Sequence, residues 1–102
     1  IQMEGCITMG LGYALREEVH FSNGRLLDVN FDTYDIPRFS WLPEIETVIV
    51  PNPTLAPKGG GEPAIVCMGG VLATAVYDAT GAKMFQLPMT PQRVKSALEK
   101  KG

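Results

Sequence analysis

The apolar positions change period along the chain, and each change marks an element boundary. Met3, Ile7, Leu11, Ala14 and Leu15 fall close to a 3.6-residue repeat, which predicts a helix over 1–15. Gly5, Gly10 and Gly12 lie inside it. Each weakens a helix by about 1 kcal/mol relative to alanine, so their regular placement points to another backbone or a ligand packing closely there. From Glu17 the repeat becomes alternation, with Val19 and Phe21 on one face. Ser22-Asn23-Gly24-Arg25 is a hairpin turn, since Asn-Gly takes positive φ at both central positions. Leu27, Val29 and Phe31 continue the partner strand, and Tyr34-Asp35-Ile36-Pro37 breaks it.

A connection through Phe39, Trp41 and Pro43 leads to a further strand at Ile45, Thr47, Val48 and Ile49, which stops at Pro51. The segment 51–61 holds three prolines and three glycines and reads as an exposed, stiff loop. Residues 64–80 are too uniformly apolar for a surface helix and are expected to be buried on most sides, with Gly81 as the terminating C′ glycine. Met84-Phe85-Gln86-Leu87 reads as a short strand, and Thr90-Pro91 caps and opens a last polar helix over 92–100. The order is helix, hairpin, strand, helix, short strand, helix: an α+β layout of mixed helices and short antiparallel strands.

At 102 residues, with 45% hydrophobic and 20% charged positions, the sequence is that of one globular unit at most. A formal net charge of −2 provides no basic stripe for nucleic acid. No apolar run reaches the roughly 18–20 residues that span a bilayer, and no basic region with a hydrophobic core opens the chain as a secretory signal would. Cys6 and Cys67 match no zinc or CxxC spacing and are expected to be reduced, buried hydrophobes. A cytoplasmic location is the expectation. The chain enters a helical pattern at Ile1 without an initiator methionine, so it reads as a piece of a longer polypeptide.

The chemistry concentrates at Lys58-Gly59-Gly60-Gly61-Glu62-Pro63, where the proline-rich loop meets the second helix. Consecutive glycines let backbone amides approach a ligand closely. Pro63 suits the first turn of a helix, which places Glu62 at or beside the N-cap, close to the positive end of the helix dipole. Glu62 is therefore either a cap or a working base. His20, the single histidine, falls on the polar face of the hairpin and reads as a surface imidazole; alone it builds neither a catalytic triad nor a histidine-rich metal site. The five methionines read as core. Phe39 and Trp41 read as a packing corner, and Lys58 as a solvated or structural charge. No metal ligand is assigned. Phosphate binding by the glycine loop is disfavoured, because it lacks the GKS or GKT ending of a P-loop and carries a glutamate at the helix start.

Several separated segments match one pattern. Gln2-Met3-Glu4-Gly5, followed by Gly10-Leu11-Gly12 and Leu15-Arg16-Glu17-Glu18, resembles the first helix of this pattern in the xanthine dehydrogenase and aldehyde oxidase family. Tyr34-Asp35-Ile36-Pro37 resembles that family's Y-x-I-P segment, and Lys58 to Pro63 its K-x-x-G-E-P active-site loop. The segments 75–81 and 87–91 resemble the helix end and closing segment of bacterial members. The resemblance runs over essentially the whole chain, in order. It implies the C-terminal portion, residues 1–102, of a molybdopterin-binding domain in the large subunit of a molybdenum hydroxylase.

Such enzymes hydroxylate an aldehyde or N-heterocycle with water-derived oxygen. By resemblance, Glu62 is the general base, Gln2 hydrogen-bonds the molybdopterin cofactor, and Gly59, Gly60 and Gly61 offer it their amides. A helix-terminal polar role for Gln2 stays open. The resemblance also implies 2Fe-2S clusters and, in some members, FAD on other domains or subunits; this chain holds neither a cluster-binding cysteine array nor a flavin fingerprint. Substrate-contacting residues are expected upstream. By itself the chain is expected to be inactive and to self-associate through its apolar helices. The competing expectation is a non-catalytic assembly or interaction domain of the same fold.

Overall fold

The first helix forms where the sequence predicts it. In the computed structural model, which describes residues 1–100, α1 spans Gln2–Leu15. Strands β1 (Phe21–Ser22) and β2 (Arg25–Leu26) form an antiparallel hairpin, a 3-10 turn covers Phe39–Trp41, and helices α2 (Met68–Thr80) and α3 (Pro91–Glu99) follow. The class is α+β.

Glycine controls how the elements meet. α2 packs across α1 at Gly10, where a Cβ would lie 2.8 Å from Met68 Cβ and closer still to Met68 Cγ. Met68 is buried in the space that the missing side chain leaves. At Gly12 a Cβ would stand 2.7 Å from the ring of Pro37, so the Tyr34-to-Pro37 segment lies directly on the helix. Tyr34 Oη donates to Glu17 Oε1 at 2.9 Å and fixes that segment further. Cys6, Ala14, Met68, Ala82 and Met89 form the core. The Met89 amide donates to the Ala14 carbonyl at 2.7 Å, which ties the closing segment to the end of α1.

Turn and cap chemistry holds where it was predicted. Asn23 and Gly24 have φ of 49° and 73°, as a type I′ turn requires. Gly81 ends α2 in the left-handed region with φ of 74°. Thr90 Oγ1 caps α3 by accepting the Arg93 amide at 3.4 Å, with Pro91 in the first turn.

Other expectations are corrected. β2 stops at Leu26 because the Asp28 carboxylate captures the His20 amide and ring, and the chain then turns at Asn30, where Thr33 and Tyr34 amides bond back. Val29 and Phe31 are exposed outside the ladder. Segments 45–49 and 84–87 form no ladder among the described residues. α2 starts at Met68 rather than Ala64. Pro63 has no amide to donate, Ile65 and Val66 are stiff in a helix, and 62–68 runs instead through four-residue turns, Ile65 N to Glu62 O at 3.0 Å and Met68 N to Ile65 O at 3.1 Å. α2 is not buried on most sides, since only Met68 within it is buried while Val71 and Tyr77 are exposed. Cys67 is likewise exposed, its thiol donating to the Ala64 carbonyl at 3.3 Å.

The molecule is open. Its Cα radius of gyration is 16.6 Å, against about 13 Å for a compact 100-residue domain. Its accessible surface is 8177 Å², against about 5,700 Å² for a stand-alone protein of this mass.

A charge network joins the hairpin to α3. Arg93 donates through Nη1 to the Pro88 carbonyl at 2.9 Å and through Nη2 to Glu18 Oε1 at 2.8 Å. His20 Nδ1 lies 2.7 Å from Asp28 Oδ2, and its Nε2 lies 3.7 Å from Glu18. The hydrogen bond from Arg93 holds the Glu18 carboxyl below its ordinary 4.5, and the His20 backbone amide holds Asp28 below 3.8. The Glu17 carboxylate raises the Tyr34 phenol.

Two outcomes follow from this architecture. Gly10→Ala should destabilise the chain by about 1–3 kcal/mol, the usual cost of overpacking, whereas Gly5→Ala, with nothing within 4 Å of its Cβ, should be neutral or stabilising; denaturant melts of both variants measure this. The carboxyls of Glu18 and Asp28 are more acidic folded than unfolded, so the stability they contribute is complete above their ordinary values and is lost as pH falls through the lowered folded ones. Melting temperature should therefore decline as pH drops below about 4.5, and Arg93→Gln should flatten that decline in a melting series across the acid range.

Candidate functional site

Glu62 lies on an exposed stretch between the glycine loop and α2. Its carbonyl accepts the Ile65 and Val66 amides, at 3.0 and 3.4 Å, and so opens the turn that leads to the helix. The side chain caps nothing: the N-cap of α2 is Cys67, and no side chain bonds to that helix start. The cap alternative is thereby corrected, because the late start of α2 leaves Glu62 five residues ahead of the cap position. Its carboxylate joins none of the ion pairs among the described residues.

The structure brings the loop to the start of α1. A Cβ at Gly60 would lie 3.5 Å from Gln2 Cβ and 4.0 Å from Met3 Cε, and one at Gly61 would lie 3.7 Å from Gln2 Oε1. Gln2, Gly60, Gly61 and Glu62 thus occupy one region, although about 60 positions of sequence separate the first from the rest. Gln2 is the first helical residue after the cap position Ile1, and no side chain caps α1. The leading amides of α1 therefore have no side-chain partner. Met3 joins the same cluster; sequence reasoning assigned it only to packing, and its spacing on α1 beside Gln2 was the available signal.

The glycines are not there for unusual dihedrals. Gly59, Gly60 and Gly61 are all outside the left-handed region, which among the described residues only Gly24, Gly81 and Asn23 occupy. A Cβ at Gly59 would meet nothing within 4 Å. None of the three amides donates a backbone hydrogen bond among the described residues. The loop thus offers three amide donors without side chains, the kind of surface that can cradle a ligand.

Elsewhere, Arg16 stacks over Trp41 at 4.7 Å and lies 3.7 Å from Asp35. Trp41 and Phe39 are both exposed, which corrects the expected packing corner. A groove of about 790 Å³ runs between 81–86 and α3, remote in composition from the loop, and includes none of Gln2, Gly59, Gly60, Gly61 or Glu62. Among the described residues no cluster of three or more His, Cys, Asp or Glu side chains is assembled, and no helix is long and apolar enough to cross a membrane.

A family model of the molybdopterin cofactor-binding domain matches residues 1–43. A nicotinate dehydrogenase subunit of Pseudomonas putida is 33% identical over 101 residues, covering 99% of this chain and 8% of that protein. The xanthine dehydrogenase molybdenum-binding subunit of Escherichia coli is 33% identical over 99 residues, covering 91% of this chain and 13% of that protein. Over nearly its whole length the chain is similar to molybdenum-binding subunits of the xanthine dehydrogenase and aldehyde oxidase family. The crystal structure of quinoline 2-oxidoreductase from Pseudomonas putida 86 superposes with a TM-score of 0.78 at 26% identity, over 97% of this chain and 14% of that one. The chain therefore spans a small part, 8% to 14%, of these family members.

The residues present fit the family's cofactor. A pterin carries ring edges and a phosphate that accept hydrogen bonds, and the cradle offers amides from the glycine loop, the start of α1 and the Gln2 carboxamide. The cradle's openness at Gly59 leaves space for a bulky group.

Proposed function

We propose that this chain is one part, residues 1–102, of the molybdopterin-binding domain of a molybdenum hydroxylase, in which Glu62 is the general base and Gln2, Gly59, Gly60 and Gly61 form a wall of the cofactor site. The observation that carries this reading is the juxtaposition of an uncapped, exposed Glu62 with a donor-rich cradle closed by Gln2. When bound, molybdopterin supplies the two-electron redox chemistry that this chain lacks. Glu62 takes the proton from the water-derived oxygen as that oxygen attacks an electrophilic carbon of an aldehyde or N-heterocycle, and its carboxylate needs to stand within hydrogen-bonding reach to do so. The glycine amides and Gln2 orient the cofactor, and the Gly10–Met68 contact holds the two halves of the cradle together.

The remaining substrate site belongs to the rest of the subunit. Partner domains or subunits with 2Fe-2S clusters, and FAD in some members, carry electrons away. Two free cysteines suit a reducing, cytoplasmic setting. The chain by itself is inactive on this reading and self-associates through the exposed faces of α2 and its extended segments. Sedimentation of the isolated chain tests that last point: concentration-dependent association is expected, and a monomer at high concentration contradicts it.

In the complete subunit with its partners, Glu62→Gln should retain molybdenum while turnover of aldehydes or N-heterocycles falls at least about a hundredfold. Unchanged turnover in a metal-loaded variant would exclude the base role and favour a non-catalytic assembly domain. Gly59→Val fills space that this chain leaves open. It should lower molybdenum retention about tenfold or more, as disturbing the surroundings of a metal site does, without changing the melting of the isolated chain. Undiminished retention would remove the 59–61 loop from the cofactor wall.

A further inference from the structure

The segment 44–50 is a strand in every respect except a partner. Glu44-Ile45-Glu46-Thr47-Val48-Ile49-Val50 holds five β-branched residues, the composition that favours pleated structure. Pro43 and Pro51, which have no amide to give, bound it at each end. The segment enters no helix or turn, and none of its amides or carbonyls enters a backbone hydrogen bond among the described residues. Seven unpaired residues at about 3.3 Å each present a ladder edge of roughly 23 Å.

Both faces are bare as well. Val48, Ile49 and Val50 are 82%, 86% and 81% exposed, and because successive side chains point to opposite faces these three residues expose apolar surface on both sides. A strand with one solvated face alternates apolar with polar positions, whereas a near-continuous apolar run belongs to a strand covered on both faces. Edge strands normally carry lysine, proline or a bulge to discourage pairing. Here the charges are two glutamates confined to the first three positions, and the last four are Thr, Val, Ile and Val.

From this we propose that 44–50 is an interior β-strand of a sheet completed by the remainder of the same subunit, with neighbouring strands from that remainder hydrogen-bonded along it and covering both its faces. The occupant follows from area and length. The accessible surface of 8177 Å² exceeds the stand-alone expectation by about 2,500 Å², roughly three times the 800 Å² that one partner contributes to a standard interface. A standard-size interface with one second copy covers about a third of that, whereas the relatives run to many times this chain's length, as the 8% and 14% coverages show. A covalently attached remainder also meets the strand at high effective concentration. The proposal does not depend on Glu62 being a base, or on molybdenum.

Peptide-resolved amide hydrogen exchange on the complete subunit tests it. The amides of 45–50 should exchange at least about a hundredfold more slowly than an unstructured peptide of that sequence, the protection expected for ladder amides in a stable sheet. Exchange within tenfold of the unstructured rate would overturn the proposal. The neighbour is identified with a photo-crosslinking residue at position 48, in a mixture of isotopically light and heavy subunits. Same-mass products are expected, with the link to another part of one chain, and mixed-mass products would assign the edge to a second copy and reject the proposal. If the crosslinking variant does not assemble, the exchange experiment on the unaltered subunit stands alone.

Discussion

Everything at the candidate site depends on how closely α1 and α2 approach. Only a residue without a side chain at position 10 lets Met68 sit against α1. That contact fixes where the turn 62–68 and the loop before it lie relative to the first turn of α1. Gly60 and Gly61 then come to rest against Gln2 across a separation that no local interaction spans. A glycine that weakens its own helix thus assembles a site elsewhere, which explains why propensity alone misreads α1 as a poor helix. Gly12 does the same for Pro37, and because residues two apart do not share a helix face, α1 organises two distant segments from two different sides.

What was legible in the sequence is whatever short-range chemistry specifies. The Asn23-Gly24 turn, the Thr90-Pro91 start and the Gly81 stop all depend on a few adjacent residues and appear as expected. The strands at 45–49 and 84–87 do not, because a strand is a pairing and its partner is not encoded in the strand itself. The burial of α2 failed for a related reason: uniform apolarity at 64–80 says that a segment will be covered without saying by what. Of the site, the loop, Glu62 and Gln2 were legible through motif resemblance, and their adjacency was not. The Glu18–Arg93 pair, joined at 2.8 Å, carried no sequence signal, since nothing local relates a residue between α1 and the hairpin to the last helix.

The openness of the molecule and its proposed chemistry are two aspects of one arrangement. The proposed base and the proposed cofactor wall both need groups left unpaired within this chain. Glu62, the amides of 59–61 and the backbone of 44–50 share that property. The cap-like reading of Glu62 would have consumed its carboxylate in a local bond. The observed start of α2 at Met68 releases it, so a detail of helix initiation decides what the side chain can do.

The most direct test of that account is a crystal structure of the complete, molybdenum-loaded subunit. It should show a Glu62 carboxylate oxygen within hydrogen-bonding reach, about 3 Å, of the cofactor's reacting centre, with the amides of 59–61 and the Gln2 carboxamide along the same wall. A Glu62 side chain turned away from the cofactor, with another carboxylate in its place, would contradict it.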